Sequence, residues 1–367
     1  MISVFGSSFD EREAEAVAGA LRDQWTGKGA RTAMFEDRFA QERGLTNFQL
    51  LNSGSNALFL ALRVLDLPKG SEVILPAFTW VACAQAVVEN GLVPVFCDVE
   101  EDTQNASART IADRITDRSS AIMVVHYAGL PVEMDPILDL GLPVIEDAAH
   151  AVCSSLDGRS CGSMGDVGVF SFDAIKNLAI GNAGGVTFRS EDHAKMARDL
   201  AYCGVRKSGF ENAADGGSAP WWEYEVAGSF FKAVPDDISA AIGLVQLDKL
   251  QRHQQIRNVL WARYDERLSR HERVRTPVDH PSHSRFTYFV RVPQRDELAR
   301  HLLQHQVYTT LRYQPLTEYP VFGPSVPLSN TDLLAREGLN LPIHPRLTVE
   351  DVDRVCDLLI DFLDRTA

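Results

Sequence analysis

Four short stretches of the chain place reactive or ligand-binding residue types at turns beside apolar segments. The first is Asn52-Ser53-Gly54-Ser55-Asn56-Ala57-Leu58, a run of small residues that opens a helical pattern. A helix start offers N–H groups without acceptors and the positive end of the helix dipole, so it can seat a phosphate dianion. Gly54 admits close backbone approach there, and Ser55 adds a hydroxyl donor. The second is Trp80, in Pro76-Ala77-Phe78-Thr79-Trp80, just past the end of an apolar run, where an indole can stack on a flat heteroaromatic ring. The third is Val144-Ile145-Glu146-Asp147-Ala148-Ala149-His150. A carboxylate that ends an apolar strand needs a positive partner, and a protonated pyridine nitrogen would serve. His150, three residues on, can reach a ring hydroxyl if a helical turn begins there. The fourth is Ser171-Phe172-Asp173-Ala174-Ile175-Lys176-Asn177-Leu178. Lys176 sits among apolar residues, and a desolvated lysine has the lowered pKa that suits Schiff-base formation. Ser171 is placed as a second phosphate donor.

Each stretch alone has an ordinary explanation: a serine N-cap, a core tryptophan, a structural salt bridge, a solvated lysine. Together, and in this order, they are the parts that a pyridoxal phosphate enzyme needs.

The elements that must hold them are legible in the apolar runs. Strands are expected at Val73–Pro76, Val93–Asp98, Ala121–His126, Pro143–Glu146, Val167–Phe172 and Gly185–Phe188. Most are continuously apolar, the pattern of strands buried on both faces of a mainly parallel sheet. Helical stretches such as Asn56–Leu65 and Thr79–Glu89 lie between them, so right-handed βαβ crossovers are expected. Arg206–Ala233, with Gly216, Gly217 and Trp221-Trp222, reads as a long functional loop. A helix from about Asp237 to Leu268 follows and is expected to bridge two domains. A strand (Phe286–Val292), a helix (Arg295–Gln306) and a terminal helix (Val349–Arg365) complete the chain. The length fits two domains. The division expected is a large cofactor-binding domain at 1–240, with an N-terminal helical segment, and a small C-terminal α+β domain at 241–367.

Composition removes several function classes. A net charge of −14 without a dense Lys/Arg run argues against a nucleic-acid partner. The six cysteines (83, 97, 153, 161, 203 and 356) never form a CxxC pair and fit buried free thiols in a reducing compartment. No metal site is expected. The first residues carry Asp10, Glu11, Glu13 and Glu15 where a signal peptide would be apolar, and no run reaches the length of a membrane span. A cytoplasmic enzyme is expected.

The sequence resembles the DegT/DnrJ/EryC1/StrS family of sugar aminotransferases, fold-type-I pyridoxal phosphate enzymes. The matching stretches include LNSGSNALFLAL, SEVILPAFTWVACAQAVVENGLVPVFCDVE, LPVIEDAAHA, GDVGVFSFDAIKNL, DISAAIGLVQLDKL and LPIHPRLTVEDVDRV. The resemblance implies Lys176 as the Schiff-base lysine, Asp147 at the pyridine nitrogen, Trp80 on the ring and His150 near its hydroxyl. Gly54, Ser55 and Ser171 would hold the phosphate. It also implies a homodimer with shared sites, in which Lys232 of the neighbour reaches the phosphate. The family's Gly-Tyr setting here reads Phe230-Phe231-Lys232-Ala233, and the His often seen after Tyr-x-Pro-Leu is Thr317. These departures concern the partner contact and the sugar pocket.

The activity so implied is transfer of an amino group, with glutamate as donor, to a keto sugar: a nucleotide-linked 3- or 4-keto-6-deoxyhexose, for a surface glycan or a secondary metabolite. Arg206, Lys207, Trp222, Arg312 and Tyr313 are the candidate substrate contacts. A sugar dehydratase on the same fold is the nearest alternative, but those relatives carry His at the lysine position. A cyclitol aminotransferase and a non-catalytic cofactor-binding regulator are the others; turnover with an amino donor separates the last from an enzyme.

Overall fold

A computed structural model describes residues 1–206, 220 and 222–366. Its centre is a seven-stranded sheet: β1 (Gln49–Leu51), β2 (Glu72–Pro76), β3 (Val93–Cys97), β4 (Ser119–Val125), β5 (Val144–Asp147), β6 (Val167–Ser171) and β7 (Gly184–Phe188). The spatial order is β1-β7-β6-β5-β4-β2-β3. The pairs among β2 to β6 are parallel, and only β7 runs against its neighbours β6 and β1. All six expected strands are present, with ends moved by a residue or two. The seventh, β1, is three residues long and was not legible as a strand.

Helices of eight residues or more, among the described residues, are α1 (Glu11–Arg22), α2 (Ala30–Arg43), α3 (Gly54–Leu65), α4 (Val81–Glu89), α5 (Glu191–Ala201), α6 (Asp237–Leu268), α7 (Arg295–Gln304), α8 (Ser329–Glu337) and α9 (Val349–Arg365). Successive strand side chains point to opposite faces, and the core divides accordingly. Val73 and Leu75 of β2 join Met123, Ile145 and Val169 in one buried cluster with α3, α4 and α5. Ile74, Ile122, Val124 and Phe170 face the other way, onto Phe35 and Phe39 of α2 and Leu247 and Leu250 of α6. Strands covered on both sides need apolar residues at every position, which is why β2 reads EVILP and all five residues are buried.

At about 1.5 Å per residue, the 32-residue α6 is about 48 Å long. Its first half lies under the sheet. Its second half contributes Leu260, Trp261, Tyr264 and Leu268 to a third cluster with Tyr288, Leu298, Leu341, Val355 and Leu359. Residue 240, the expected division, falls inside this helix. Ile2 belongs to the third cluster, and Ile2–Ser3 pairs with Val307–Tyr308. Asp237, buried at the start of α6, also serves α2: its Oδ1 accepts from the Gly29 and Thr32 N–H groups, each at 2.9 Å. That carboxylate supplies the cap that Gly29, without a side chain, cannot. No helix among the described residues is long and apolar enough to cross a membrane.

Candidate active site

The carboxyl ends of the parallel strands and the start of α3 open onto one cavity of about 440 Å³. This is where ligands bind in open α/β sheets. Seven of the expected cofactor residues line it: Gly54, Ser55, Trp80, Asp147, His150, Ser171 and Lys176. Arg312 and Tyr313, from the C-terminal part of the chain, line it too.

The two acids of Glu146-Asp147 separate because β5 alternates. Glu146 is fully buried on the far face, where His126 Nε2 (2.9 Å) and the N–H groups of Gly162 (2.8 Å), Met164 (2.6 Å) and Gly165 meet its carboxylate. The Val132 N–H donates to His126 Nδ1 at 3.0 Å, so the proton of that ring sits on Nε2 and points at Glu146. Glu146 is therefore spent on holding loops. Asp147 faces the cavity. Its Oδ1 accepts from the Ala149 N–H (2.9 Å), and its Oδ2 accepts from the Cys83 thiol (3.3 Å). Burial and the charge of Asp147 push the Cys83 thiol well up, so it stays a donor. The carboxylate, 5 % exposed, has lone pairs left for a cationic ligand.

His150 follows in a turn, not a helix. Its ring stacks on Phe286 (4.1 Å, 19°), and its Nε2 lies 3.1 Å from the Tyr313 hydroxyl. Burial, with the charges of Lys176 and Arg312, depresses its pKa well below the ordinary value and keeps it neutral. Its Nδ1 is buried without a hydrogen-bond partner among the described residues. Trp80, at the N-cap of α4, is half exposed, and its ring lies 5.6 Å from that of Tyr313.

Lys176 is carried by a turn after β6, closed by its N–H to the Asp173 carbonyl (2.9 Å). Its Nζ lies 4.8 Å from the centre of the Phe286 ring. Burial, reinforced by the Arg312 charge, lowers its pKa to about 8, against the pull of Asp147 and Asp173. At the other end of the cavity, Ser53 caps α3 by accepting from the Asn56 N–H at 3.0 Å. The N–H groups of Gly54 and Ser55 belong to the first turn and have no acceptor within the helix. A Cβ at Gly54 would lie 2.8 Å from Ser171 Cβ, and one at Gly184 only 2.2 Å from the Gly54 nitrogen. Both glycines are required for α3 to start this close to β6 and β7.

Pyridoxal phosphate fits these donors. The first-turn amides and two serines suit a phosphate, and Asp147 suits a pyridinium. The unpaired Nδ1 of His150 suits a ring hydroxyl, and Lys176 has the lowered pKa of a reactive amine.

The other expected contacts are not brought to the cavity within one chain. Lys232 is exposed, with its ammonium 5.6 Å from the centre of the Tyr202 ring. Its backbone lies beside the phosphate seat: Asn52 Nδ2 reaches the Lys232 carbonyl (3.4 Å), and the Asn52 N–H reaches that of Ala233 (3.0 Å). Arg206 is exposed and paired with Glu225 at 2.8 Å. Trp222 is exposed and away from the cavity. Lys207 lies outside the described residues. Conversely, Phe5, Asp173, Asn182 and Thr310 line the cavity without having been expected there. Nothing in MISVF marks Phe5; Asp173 lay inside a quoted motif and could have been read.

The fold and the cavity define a fold-type-I pyridoxal-phosphate-dependent enzyme. The family model described as the DegT/DnrJ/EryC1/StrS aminotransferase family matches residues 7–360, and the chain belongs to that family and is an aminotransferase. It is 37 % identical to the dTDP-4-dehydro-2,3,6-trideoxy-D-glucose 4-aminotransferase of Saccharopolyspora spinosa, over 97 % of this chain and 95 % of that one. Among solved structures it is similar to the aminotransferase TlmJ from Streptoalloteichus hindustanus (TM-score 0.94, 36 % identity, all of both chains). It is also similar to the PMP form of the putative sugar aminotransferase Spr1654 from Streptococcus pneumoniae (TM-score 0.93, 25 % identity, 99 % of each chain).

Proposed function

We propose that the enzyme transfers an amino group from glutamate to a nucleotide-linked keto sugar, a 4-keto-deoxyhexose carried on dTDP. The observation that carries this reading is the placement of Lys176 and Asp147 in one cavity with the first turn of α3. The substrate class rests on the similarity to the Saccharopolyspora 4-aminotransferase.

When bound, pyridoxal phosphate supplies an electron sink for the carbon that gains or loses the amino group. Gly54, Ser55 and Ser171 would hold its phosphate, and Lys176 would hold it covalently through Nζ. Asp147, which faces the cavity, would pair with the ring nitrogen and favour its protonated form. Its own orientation is fixed by the Ala149 N–H and the Cys83 thiol. His150 would meet the ring hydroxyl, and Trp80 would cover the ring. With its amine free, Lys176 would be the group placed to give or take a proton at the reacting carbon. Its depressed pKa leaves a useful fraction neutral near physiological pH.

The working unit proposed is a homodimer with shared sites, in which Lys232 of each subunit reaches the other's phosphate seat. Supporting this, Trp222, Tyr224, Val226 and Phe231 are large apolar side chains left exposed in one stretch. The division into a large cofactor domain and a small C-terminal domain near residue 240 is proposed on the same footing, with α6 running through both. The test is steady-state turnover with glutamate and a panel of dTDP-linked keto sugars, reading 2-oxoglutarate and the amino sugar by mass. Formation of both in equal amounts is expected; a product with a deoxy carbon and no nitrogen would overturn the reading.

A further inference from the structure

Residues 2–8 run beside the cavity and tie together two parts of the molecule that are distant in sequence. Ile2–Ser3 pairs with Val307–Tyr308, in the C-terminal part of the chain. His344 holds the next stretch: its Nε2 donates to the Ser3 carbonyl at 3.1 Å, while its Nδ1 accepts from the Arg346 N–H at 3.3 Å. Burial, with the Arg257 charge, lowers the His344 pKa to about 4, so the ring is neutral and keeps this tautomer. Gly6 passes close to that ring, and a Cβ there would come within 2.3 Å of Nδ1. The Ser7 hydroxyl then donates to the carbonyl of Ala174, in the turn that carries Lys176. The Ser8 carbonyl accepts from Gln246 of α6 at 3.0 Å.

Phe5 sits between the His344 contact and the Ser7 tie, and it lines the cavity. Its ring centre lies 6.0 Å from that of Tyr308 and 4.8 Å from the guanidinium carbon of Arg312. Phe286 meets the same carbon at 4.7 Å. Arg312 is 5 % exposed and pairs with no carboxylate among the described residues. Its backbone is fixed: its N–H donates to Asn340 Oδ1 at 2.7 Å, and its carbonyl accepts from the Tyr127 hydroxyl. The long side chain gains rotational freedom if released, so the aromatic faces must hold it. Phe286 is itself anchored, by its N–H to the Ala128 carbonyl (2.9 Å) and by Arg257 on its own carbonyl (3.2 Å). Phe5 is the ring whose place depends on residues 2–8.

Where the guanidinium sits matters to Lys176. After burial, the Arg312 charge does most to lower the Lys176 pKa. Asp147 at the end of β5, Asp173 in the lysine's own turn and Cys83 of α4 act the other way. We infer that Phe5 is a positioning residue of the active site: residues 2–8 form a strap that presses it on Arg312 and so keeps that cation beside the Lys176 amine. This rests on Lys176 being the amine that captures the cofactor, and adds a remote segment that governs its reactivity.

The experiment uses enzyme stripped of cofactor and follows pyridoxal phosphate capture by absorbance as a function of pH. Capture joins the amine nitrogen to the aldehyde carbon with loss of water, and only the neutral amine attacks. Wild type is compared with Phe5→Ala, Phe5→Tyr, Gly6→Ala, Arg312→Gln and the Phe5→Ala/Arg312→Gln double variant, each checked by its melting temperature. Phe5→Ala should raise the midpoint from about 8 by about one unit, which slows capture at neutral pH about tenfold. Gly6→Ala leaves the Phe5 ring intact but forces the strap away from His344, and should move the midpoint the same way. Phe5→Tyr keeps a ring and should stay within about 0.3 unit of wild type. In the Arg312→Gln background, replacing Phe5 should add less than half of its shift, because the two act through one charge. An unmoved midpoint in folded Phe5→Ala or Gly6→Ala would overturn the inference, as would Phe5→Tyr shifting as far as Phe5→Ala. So would half or more of the shift surviving without Arg312, which would make Phe5 a barrier to water only. If wild type captures no pyridoxal phosphate on Lys176, the site reading itself fails, and the unaltered enzyme alone reveals it.

Discussion

Replacing Asp147 by Asn removes one charge and almost nothing else. The amide is isosteric, so its Oδ1 keeps the 2.9 Å bond from the Ala149 N–H, and its NH₂ turns toward the Cys83 sulfur, a weak acceptor, at 3.3 Å. The fold should lose no more than about 1 kcal/mol, the scale of one weakened hydrogen bond. The electrostatic loss is larger. A carboxylate and a ring N–H⁺ in contact at about 4 Å interact by about 4 kcal/mol at an effective dielectric of about 20, and Asp147 is too buried for water to screen it. Two other donors already share the carboxylate, so only part of that is specific to the cofactor. A fall in kcat of about 10²- to 10³-fold is expected, at about 1.4 kcal/mol per power of ten. The assay is kcat for each half-reaction, with the absorbance of the bound cofactor and the melting temperature as controls. Cofactor should remain bound and the melting temperature should move little. A variant within threefold of wild type would refute the role, because the ring nitrogen would then need no anionic partner.

Five further outcomes are expected. Borohydride reduction followed by peptide mapping should fix the cofactor to Lys176, and Lys176→Ala should lose turnover; near-wild-type turnover would refute the assignment. Enzyme stripped of cofactor should take up pyridoxal phosphate at a rate that rises with pH through about 8, since only the neutral amine attacks, and falls about tenfold per unit well below it. Arg312→Gln should move that midpoint upward by removing a charge that disfavours the protonated amine; a midpoint near the ordinary lysine value in wild type would contradict the burial argument. Gly184→Ala, whose Cβ would meet the Gly54 nitrogen at 2.2 Å, should displace the start of α3 and weaken cofactor retention tenfold or more, read by fluorescence titration. Mixing Lys176→Ala with Lys232→Ala protein should restore activity beyond the sum of the two homodimers if sites are shared. No recovery, with subunit exchange and a defect in the Lys232→Ala homodimer independently shown, would count against sharing.

The residues that met in the cavity were the ones whose chemistry is local. Asp147, Ser171 and Lys176 each sit in or just after a strand, so an apolar run followed by a small or charged residue was enough to mark them, and Gly54 was marked by the helical pattern that it opens. Between Glu146 and Asp147 the resemblance had chosen Asp147; alternation says that the two face opposite ways but not which side holds the cavity, and the structure puts Asp147 on that side. Cys83 read as one more buried thiol; its role beside Asp147 depends on a contact 64 residues away in sequence. Phe5 and Phe286 were illegible as site residues for the same reason, because a phenylalanine looks identical in a core and against a guanidinium. Arg206 and Trp222 were marked by charge and aromaticity in a long loop. Those properties favour a surface but do not say which one, and within one chain they stay away from the cavity. β1 escaped because three residues are too few to show any period.

The central claim, amino transfer through Lys176 and Asp147 to a nucleotide-linked keto sugar, is tested most directly by one half-reaction. Enzyme loaded with pyridoxamine phosphate is mixed in a stopped-flow cell with a dTDP-4-keto-6-deoxyhexose, and the product is quenched for mass analysis. The account predicts return of the pyridoxal phosphate absorption in a single exponential, with one amino sugar formed per site and none from the corresponding free sugar. An unchanged spectrum with every nucleotide-linked keto sugar, from enzyme that accepts amino groups from glutamate, would contradict it.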